Sequence, residues 1–313
     1  NSIVKDLAKA VPQIKDNEYR AAAIFAAYRI GTSQALQIVR NALEDSSSVI
    51  RVAAARALGM AKDKSSVNKL SRLVVNDKAP VQRQSAIALE QIGDTAAVPA
   101  LINAAANAND RFVEHTVIHA LIVLKNSIPL EAALQHPSPA VRRASLIALD
   151  QMQDNPLQKS QVYPFLFGKD SVLKETGIWV TMHHPQWGDL VAAFLKTALT
   201  QTDFSKQEHK SINNLMSRFS NDSRVQGLIT SALLQRESIH KKIFLLDVMA
   251  GSPVKNFPDC WLQLLKKMLL DDSNIELQSR ILNLVQLRDI KSFDKILEGI
   301  ANNTKMDQSF RLK

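Results

Sequence analysis

Cysteine is almost missing from this chain: Cys260 is the single one in 313 residues. That excludes an intrachain disulfide and any metal site built from several thiolates. It leaves the compartment open, because many exported proteins also lack disulfides. Cys260 stands beside Trp261 in an apolar stretch, where a lone thiol is expected to act as a small buried hydrophobe. Glycine (9 residues) and proline (11) are sparse, and aromatics reach only 5%, as expected of a chain that is mostly helix. No apolar run approaches the roughly 20 residues that span a bilayer; the longest candidate, 118–124, contains His119. There is no Gly-x-Gly-x-x-Gly, no P-loop, no strand-rich window and no nucleophile-elbow spacing around a serine. The first residue is Asn1 rather than methionine, which suggests an excised or processed chain whose targeting information was removed.

What is present is repetition. Ile50-Arg51-Val52-Ala53-Ala54-Ala55-Arg56-Ala57-Leu58 is echoed by Val81-Gln82-Arg83-Gln84-Ser85-Ala86-Ile87-Ala88-Leu89, and again by Val141-Arg142-Arg143-Ala144-Ser145-Leu146-Ile147-Ala148-Leu149. A fourth copy opens at Val113, so the lead positions 50, 81, 113 and 141 are spaced by 31, 32 and 28 residues. Tyr19 fits the same frame 31 residues earlier. A helical hairpin cannot bury both its apolar faces alone, and stacking such hairpins makes one continuous core. The spacing predicts an all-α chain, a right-handed α-α superhelix. Helices are expected over about 3–11, 16–30 and 32–43, then motif helices from the turn at 45–48 to about 59, over 80–93 and over 110–124, with a further copy at 141–149 and outer helices at 63–75 and 95–107. Gly31 and Gly93 suit helix ends, Thr32 a helix start, and Pro80 and Pro99 first turns. Arg51, Arg83 and Arg142 follow the lead residues, and an aspartate or helix-end carbonyl of a neighbouring repeat is the expected partner of each.

Residues 1–155 read as regular repeats. Residues 156–313, punctuated by Pro156, Pro164, Pro185 and Pro258, read as degenerate helical pairs continuing the same stack, with helices over about 157–167 (broken near Pro164), 171–182, 186–199, 206–219, 223–235, 239–248, 260–270, 274–285 and 293–301. The run from Val225 to Ala232-Leu233 restores the repeat spacing. The net charge of +9 invites a nucleic-acid reading, but residues 1–150 hold 18 Lys/Arg against 13 Asp/Glu and the remainder 21 against 17. The excess is spread evenly, and a solvated surface is the simpler account.

The Val-Arg-x-x-Ala-x-x-Ala-Leu pattern resembles HEAT repeats, which implies a HEAT-like or armadillo-type solenoid. Asp110-Arg111-Phe112-Val113-Glu114-His115 with His119-Ala120-Leu121, then His136-Pro137-Ser138-Pro139-Ala140-Val141-Arg142-Arg143-Ala144, Leu149-Asp150-Gln151-Met152, Trp179, and His184-Pro185-Gln186-Trp187-Gly188-Asp189 are similar in order to the helical segment of large bacterial haem-binding proteins. Those multidomain proteins, of planctomycete, verrucomicrobial and Bacteroidetes type, join a dehydrogenase-like propeller, a HEAT-like segment and a c-type cytochrome module. The resemblance implies a periplasmic or cell-envelope setting. This chain carries no Cys-x-x-Cys-His and no propeller blade, so no haem ligand and no other cofactor is expected in it.

Two clusters hold the residues of chemical interest. In His183-His184-Pro185-Gln186-Trp187-Gly188-Asp189 adjacent histidines point apart, so an interhelix corner plugged by Trp187 is expected rather than a metal site. His115 and His119 share a helix face at i, i+4 with Glu114 alongside; the order is not the His-Glu-x-x-His of zinc proteases, and histidines lining the inner groove are expected. With Arg142, Arg143 and Trp179, these His and Trp residues form a candidate contact surface. The leading expectation is a non-enzymatic scaffold binding a protein or flanking domains of its own chain. A nucleic-acid-acting protein resembling the HEAT-built alkylated-base DNA glycosylases is the alternative, with Trp179, Trp187 and Asp189 asked to serve a flipped base. A bilin-lyase-like tetrapyrrole handler is a third reading with only the repeat class behind it.

Overall fold

In the computed structural model, residues 2–108, 110–200, 206–235, 238–271 and 274–303 are described. Among them there are helices and turns and no strand. The chain divides into two compact units. The first runs up to Phe165 and takes in Asp170–Thr176; the second holds Leu166–Lys169 and the residues from Gly177 on.

The first unit begins with α1 (Ser2–Ala10), α2 (Asn17–Ile30), α3 (Ser33–Asn41), α4 (Ser48–Met60), α5 (Val67–Asn76) and α6 (Ala79–Ile92). It continues with α7 (Val98–Ala106), α8 (Arg111–Leu124), α9 (Ser127–Ala133), α10 (Pro139–Gln151) and α11 (Lys159–Leu166), which carries Pro164 without a break. The motif helices α2, α4, α6, α8 and α10 stand side by side in one row; α5, α7 and α9 form a second, with α1 beside α3. The local signals act as the sequence predicts. Asp16 accepts the Glu18 and Tyr19 N–H groups at the start of α2, Gly31 ends it in the left-handed region (φ 68°), and Thr32 caps α3. Gly93 (φ 72°) ends α6, and Pro80 and Pro99 lie in first turns. A short α9 was not foreseen, and its seven residues account for the contracted 28-residue spacing between Val113 and Val141.

The core of this unit is the lead residue plus the alanine stripe. Ile50, Val81, Val113 and Val141 are 0–1% exposed, and so are Leu58, Leu89, Leu121 and Leu149. Small side chains let the motif helices come close. Gly59 is the extreme case. It does not end its helix; it lies one residue inside, where a Cβ would stand 2.8 Å from the Ala88 Cα of α6. Tyr19 departs from its copies, being 73% exposed, although Arg20 still reaches Asp45 at 3.4 Å in the way the frame requires.

Successive repeats are tied turn to turn by arginine and aspartate. Arg51 donates Nε and Nη2 to the two carboxylate oxygens of Asp77 at 2.7 and 2.6 Å, and Nη1 to the Asp45 and Ser46 carbonyls at 2.7 and 3.1 Å. It therefore links the turn before α4 to the turn before α6. In the second row Arg40 makes the same fork to Asp63, both bonds 2.8 Å. The expectation of such partners fails for the other two arginines. Arg83 is one position further from its lead residue than Arg51, which rotates it about 100° around the helix and away from the turns. Gln82 takes the turn-facing place and donates to the Val75 carbonyl at 3.2 Å. The buried Nε atoms of Arg83 and Arg142 have no partner.

Ser85 and Ser145 stand at the same repeat position, four residues after the lead residue, where α4 has Ala54. Both are buried, and neither hydroxyl has a hydrogen-bond partner. A buried polar group without a partner costs about 1–3 kcal/mol. Ser85→Ala and Ser145→Ala are therefore each expected to raise stability, by about 0.5–1 kcal/mol, measured as a higher urea midpoint at unchanged m.

The second unit contains the end of α12 (Ser171–Thr181), then α13 (Gly188–Ala198), α14 (Lys206–Arg218), α15 (Ser223–Leu234), α16 (Ile239–Gly251), α17 (Asp259–Asp271), α18 (Ile275–Leu287) and α19 (Asp294–Asn302). Here α13, α15 and α17 are neighbours in one row and α14, α16 and α18 in another. Cations at the ends of α14 and α18 cap carbonyls that follow α12 and α16. Arg218 donates to the Met182 carbonyl at 3.2 Å, and Arg288 donates to Ser252 at 2.9 Å and to Val254. That is the favourable end of a helix for positive charge. Trp261 is fully buried and donates Nε1–H to the Gln226 carbonyl at 3.2 Å. Its neighbour Cys260 is exposed, so the expected buried thiol is corrected: the helix turns the indole inward and the sulfur out.

Candidate functional site

Counting from each lead residue of the first unit, positions −1, +2, +6 and +10 leave the core and share one face of the helix. On α4 these are Val49, Val52, Arg56 and Met60; on α6, Pro80, Arg83, Ile87 and Gln91; on α8, Phe112, His115, His119 and Val123; on α10, Ala140, Arg143, Ile147 and Gln151. All sixteen are half-buried or exposed. The motif row thus presents a face that mixes aliphatic side chains, arginines, histidines and one aromatic ring.

Three of the candidate contact residues belong to this face: His115, His119 and Arg143. Both histidines are exposed, not packed as expected. His119 Nδ1 lies 2.8 Å from Glu90 on α6, and Arg143 pairs with Glu114 on α8. The i, i+4 histidine pair is therefore divided: His119 is tied back to a neighbouring helix, while His115 stands in solvent. Arg142, one residue before Arg143, is half-buried and lies outside these four positions. Among the described residues no three His, Cys, Asp or Glu side chains are placed to hold a metal ion. No helix described is long and apolar enough to cross a membrane.

Phe112 was not singled out by spacing alone. It is 56% exposed, and its ring lies under two guanidinium groups, Arg83 of α6 at 5.9 Å and Arg111 of its own helix at 5.4 Å from the ring centroid. The signal available in the sequence is register: Phe112 precedes its lead residue by one, and Arg83 follows its own by two, so both leave the core on the same side.

The remaining candidates form the corner of the second unit, and there the cluster separates by burial. His184 is 4% exposed and stacks on Trp187, 6% exposed, with ring centroids 3.6 Å apart and planes 6° from parallel. Gln186 Nε2 lies 3.3 Å from His184 Nδ1. These two rings are packing, as the corner reading expects. Trp179, 39% exposed, meets His183 edge to face at 4.3 Å, and both are open to solvent. Gly188 follows the corner because the Asp222 carboxylate and Arg224 fill the space a side chain would need. That carboxylate accepts the Arg224 N–H at 2.9 Å as the cap of α15 and forks to the Arg224 guanidinium at 2.9 and 2.6 Å. The Arg224 bonds hold Asp222 below the usual carboxylate range. Asp189 adds its attraction for Arg224.

Residues 39–122 match the family described as HEAT repeats. Importin beta is a similar solved structure, at 13% identity and a TM-score of 0.50, with 97% of this chain and 52% of that one covered. This chain thus spans about half the length of that relative. An archaeal HEAT-like repeats protein from Thermococcus onnurineus NA1 matches at 11% identity over 83% of this chain and 97% of its own, TM-score 0.39. The complex of CpcE and CpcF of phycocyanin lyase from Nostoc sp. PCC7120 matches at 18% identity over 81% of this chain and 93% of that one, TM-score 0.34. No curated protein matches the sequence.

Proposed function

We propose that this helical-repeat chain, an all-α solenoid with HEAT repeats in its first unit, is a non-enzymatic scaffold whose exposed motif-row face binds another protein or a flanking domain of its own chain. The carrying observation is that face itself. Four successive helices repeat the same outward positions, and these carry Arg56, Arg83, Arg143, Phe112 and Met60, residue types enriched where proteins meet. Asp77 and Asp63, two acids of the unit held out of solvent, are engaged in inter-repeat ties with Arg51 and Arg40. The similarity of residues 45–200 to the helical segment of bacterial haem-binding proteins supports the interdomain form of this reading, with the redox chemistry lying in other modules of a parent protein.

Site-specific photo-crosslinking tests it. Benzoylphenylalanine at Gln91 or Val123, both exposed on the motif row, is expected to give discrete protein adducts in the cells that make the protein, while the same group at Asn103 on α7 gives none. Adducts of equal yield at all three sites, or none at any, would sink the reading.

A further inference from the structure

The motif-row face is not electrically balanced. Two carboxylates beside it, Glu90 and Glu114, are already paired with His119 and Arg143. Three arginines on or beside it, Arg56, Arg83 and Arg111, have no carboxylate partner among the described residues, and the buried Nε of Arg83 has no hydrogen-bond partner at all. Arg83 and Arg111 converge on the one exposed aromatic ring of the four helices, Phe112. Cation–π contacts of that kind orient the ring and both guanidinium groups toward one another before anything binds. Aliphatic side chains share the face: Val49, Met60 and Val123 are 55%, 39% and 43% exposed.

We infer that the Arg83–Phe112–Arg111 cluster is the anchor point of the scaffold face and takes an acidic segment of a partner protein, with an aromatic or aliphatic side chain next to an Asp or Glu. This rests on the scaffold reading above and names its partner chemistry. A guanidinium fork matches a carboxylate bidentately. The neighbouring apolar side chain of the segment covers the Phe112 ring, and the desolvated Arg–aromatic pair is the composition of an interface hot spot. Preformed groups lose little freedom on binding. Charge complementarity selects an acidic peptide, because Arg56, Arg83 and Arg111 lack a carboxylate partner among the described residues, while Glu90 and Glu114 are paired and Asp110 is engaged as the cap of α8. A nucleic-acid backbone suits the face less well, since phosphate tracking needs a dense cationic row and offers nothing to the valines and Met60.

The experiment is selection of a phage-displayed random 12-residue library on the full chain, followed by anisotropy with the enriched peptides. Enriched peptides are expected to carry Asp or Glu adjacent to an aromatic or aliphatic residue. Their affinity should fall at least tenfold in Phe112→Ala and in the double variant Arg83→Gln, Arg111→Gln, and stay unchanged in Lys9→Gln on α1. Affinity should also weaken between about 50 and 300 mM salt, as screening requires. Arg111→Gln alone serves if the double variant fails to fold, with unchanged urea midpoint as the check. Enrichment without acidic residues, binding indifferent to these variants, or no enrichment overturns the inference. So does preferential binding of a 20-base-pair duplex that these variants abolish, or a dimer in sedimentation that Phe112→Ala converts to monomer. If crosslinks form on the motif row but the selection shows no acidic bias, the scaffold reading survives and this inference alone falls.

Discussion

Gly59→Ala is expected to destabilise the first unit by about 2–3 kcal/mol, the upper range of overpacking in a tight interior. The direction is the informative part. In an exposed helix interior the same change gains up to about 1 kcal/mol from alanine's better helix propensity. Here the added methyl would meet the Ala88 Cα at 2.8 Å and the Ala88 Cβ at 3.1 Å. Both belong to a helix whose backbone cannot swing away alone, so α4 and α6 must separate along their length. The Gln91 side-chain oxygen is also in the way, but it is a flexible tip. A Gln91→Ala second change is therefore expected to recover only a minor part of the loss. Urea unfolding of the wild type, the single variant and the double variant measures both statements; a neutral or stabilising Gly59→Ala would show that the two helices are not in close contact.

Asp77→Asn is expected to cost about 2–3 kcal/mol at neutral pH. The Arg51 guanidinium has only 14% of its side chain exposed and would lose its counter-charge, while its bonds to the Asp45 and Ser46 carbonyls would remain. The pH dependence follows from the carboxylate. Burial alone would raise the Asp77 pKa, but the Arg51 fork, the Lys78 N–H and the attraction of both cations outweigh it and hold the group below its ordinary value. A depressed folded pKa means that the contribution is complete above the unfolded value near 3.9 and is lost as pH falls through the folded one. The stability gap between wild type and Asp77→Asn should accordingly be constant from about pH 5 to pH 8 and close below about pH 4. A gap that persists at about pH 2 would mean that shape, not charge, holds the turn.

The fold was legible where helix packing leaves a strict periodic mark. The copies led by Ile50, Val81, Val113 and Val141 predicted both the motif helices and their buried stripe, because a helix packed on several sides must place small or branched residues at fixed turns. The same signal is less specific about rows. Val225, Ile229, Ala232 and Leu233 on α15 are as buried as their counterparts in the first unit, yet α15 stands beside α13, which starts after a 3₁₀ turn as the second-row helices α5 and α7 do. Short α9 was invisible, since seven residues hold too little of a helical period to read. The candidate surface was half legible. Residue type drew attention to His184 and Trp187, which proved to be packing, while Phe112 looked ordinary until register placed it between Arg83 and Arg111. What decides exposure is the angle around the helix, and a single residue of offset, as between Arg51 and Arg83, turns a structural tie into an outward-facing group.

The outward sulfur of Cys260 has a practical meaning. It is the sole thiol among these 313 residues and it is exposed on α17, so one maleimide dye attaches to the native sequence at one defined place. The adjacent indole, buried against the Gln226 carbonyl, sits within a few ångströms of that label by chain connectivity alone. Changes in the packing of α17 against α15 then become optically readable without engineering a single substitution.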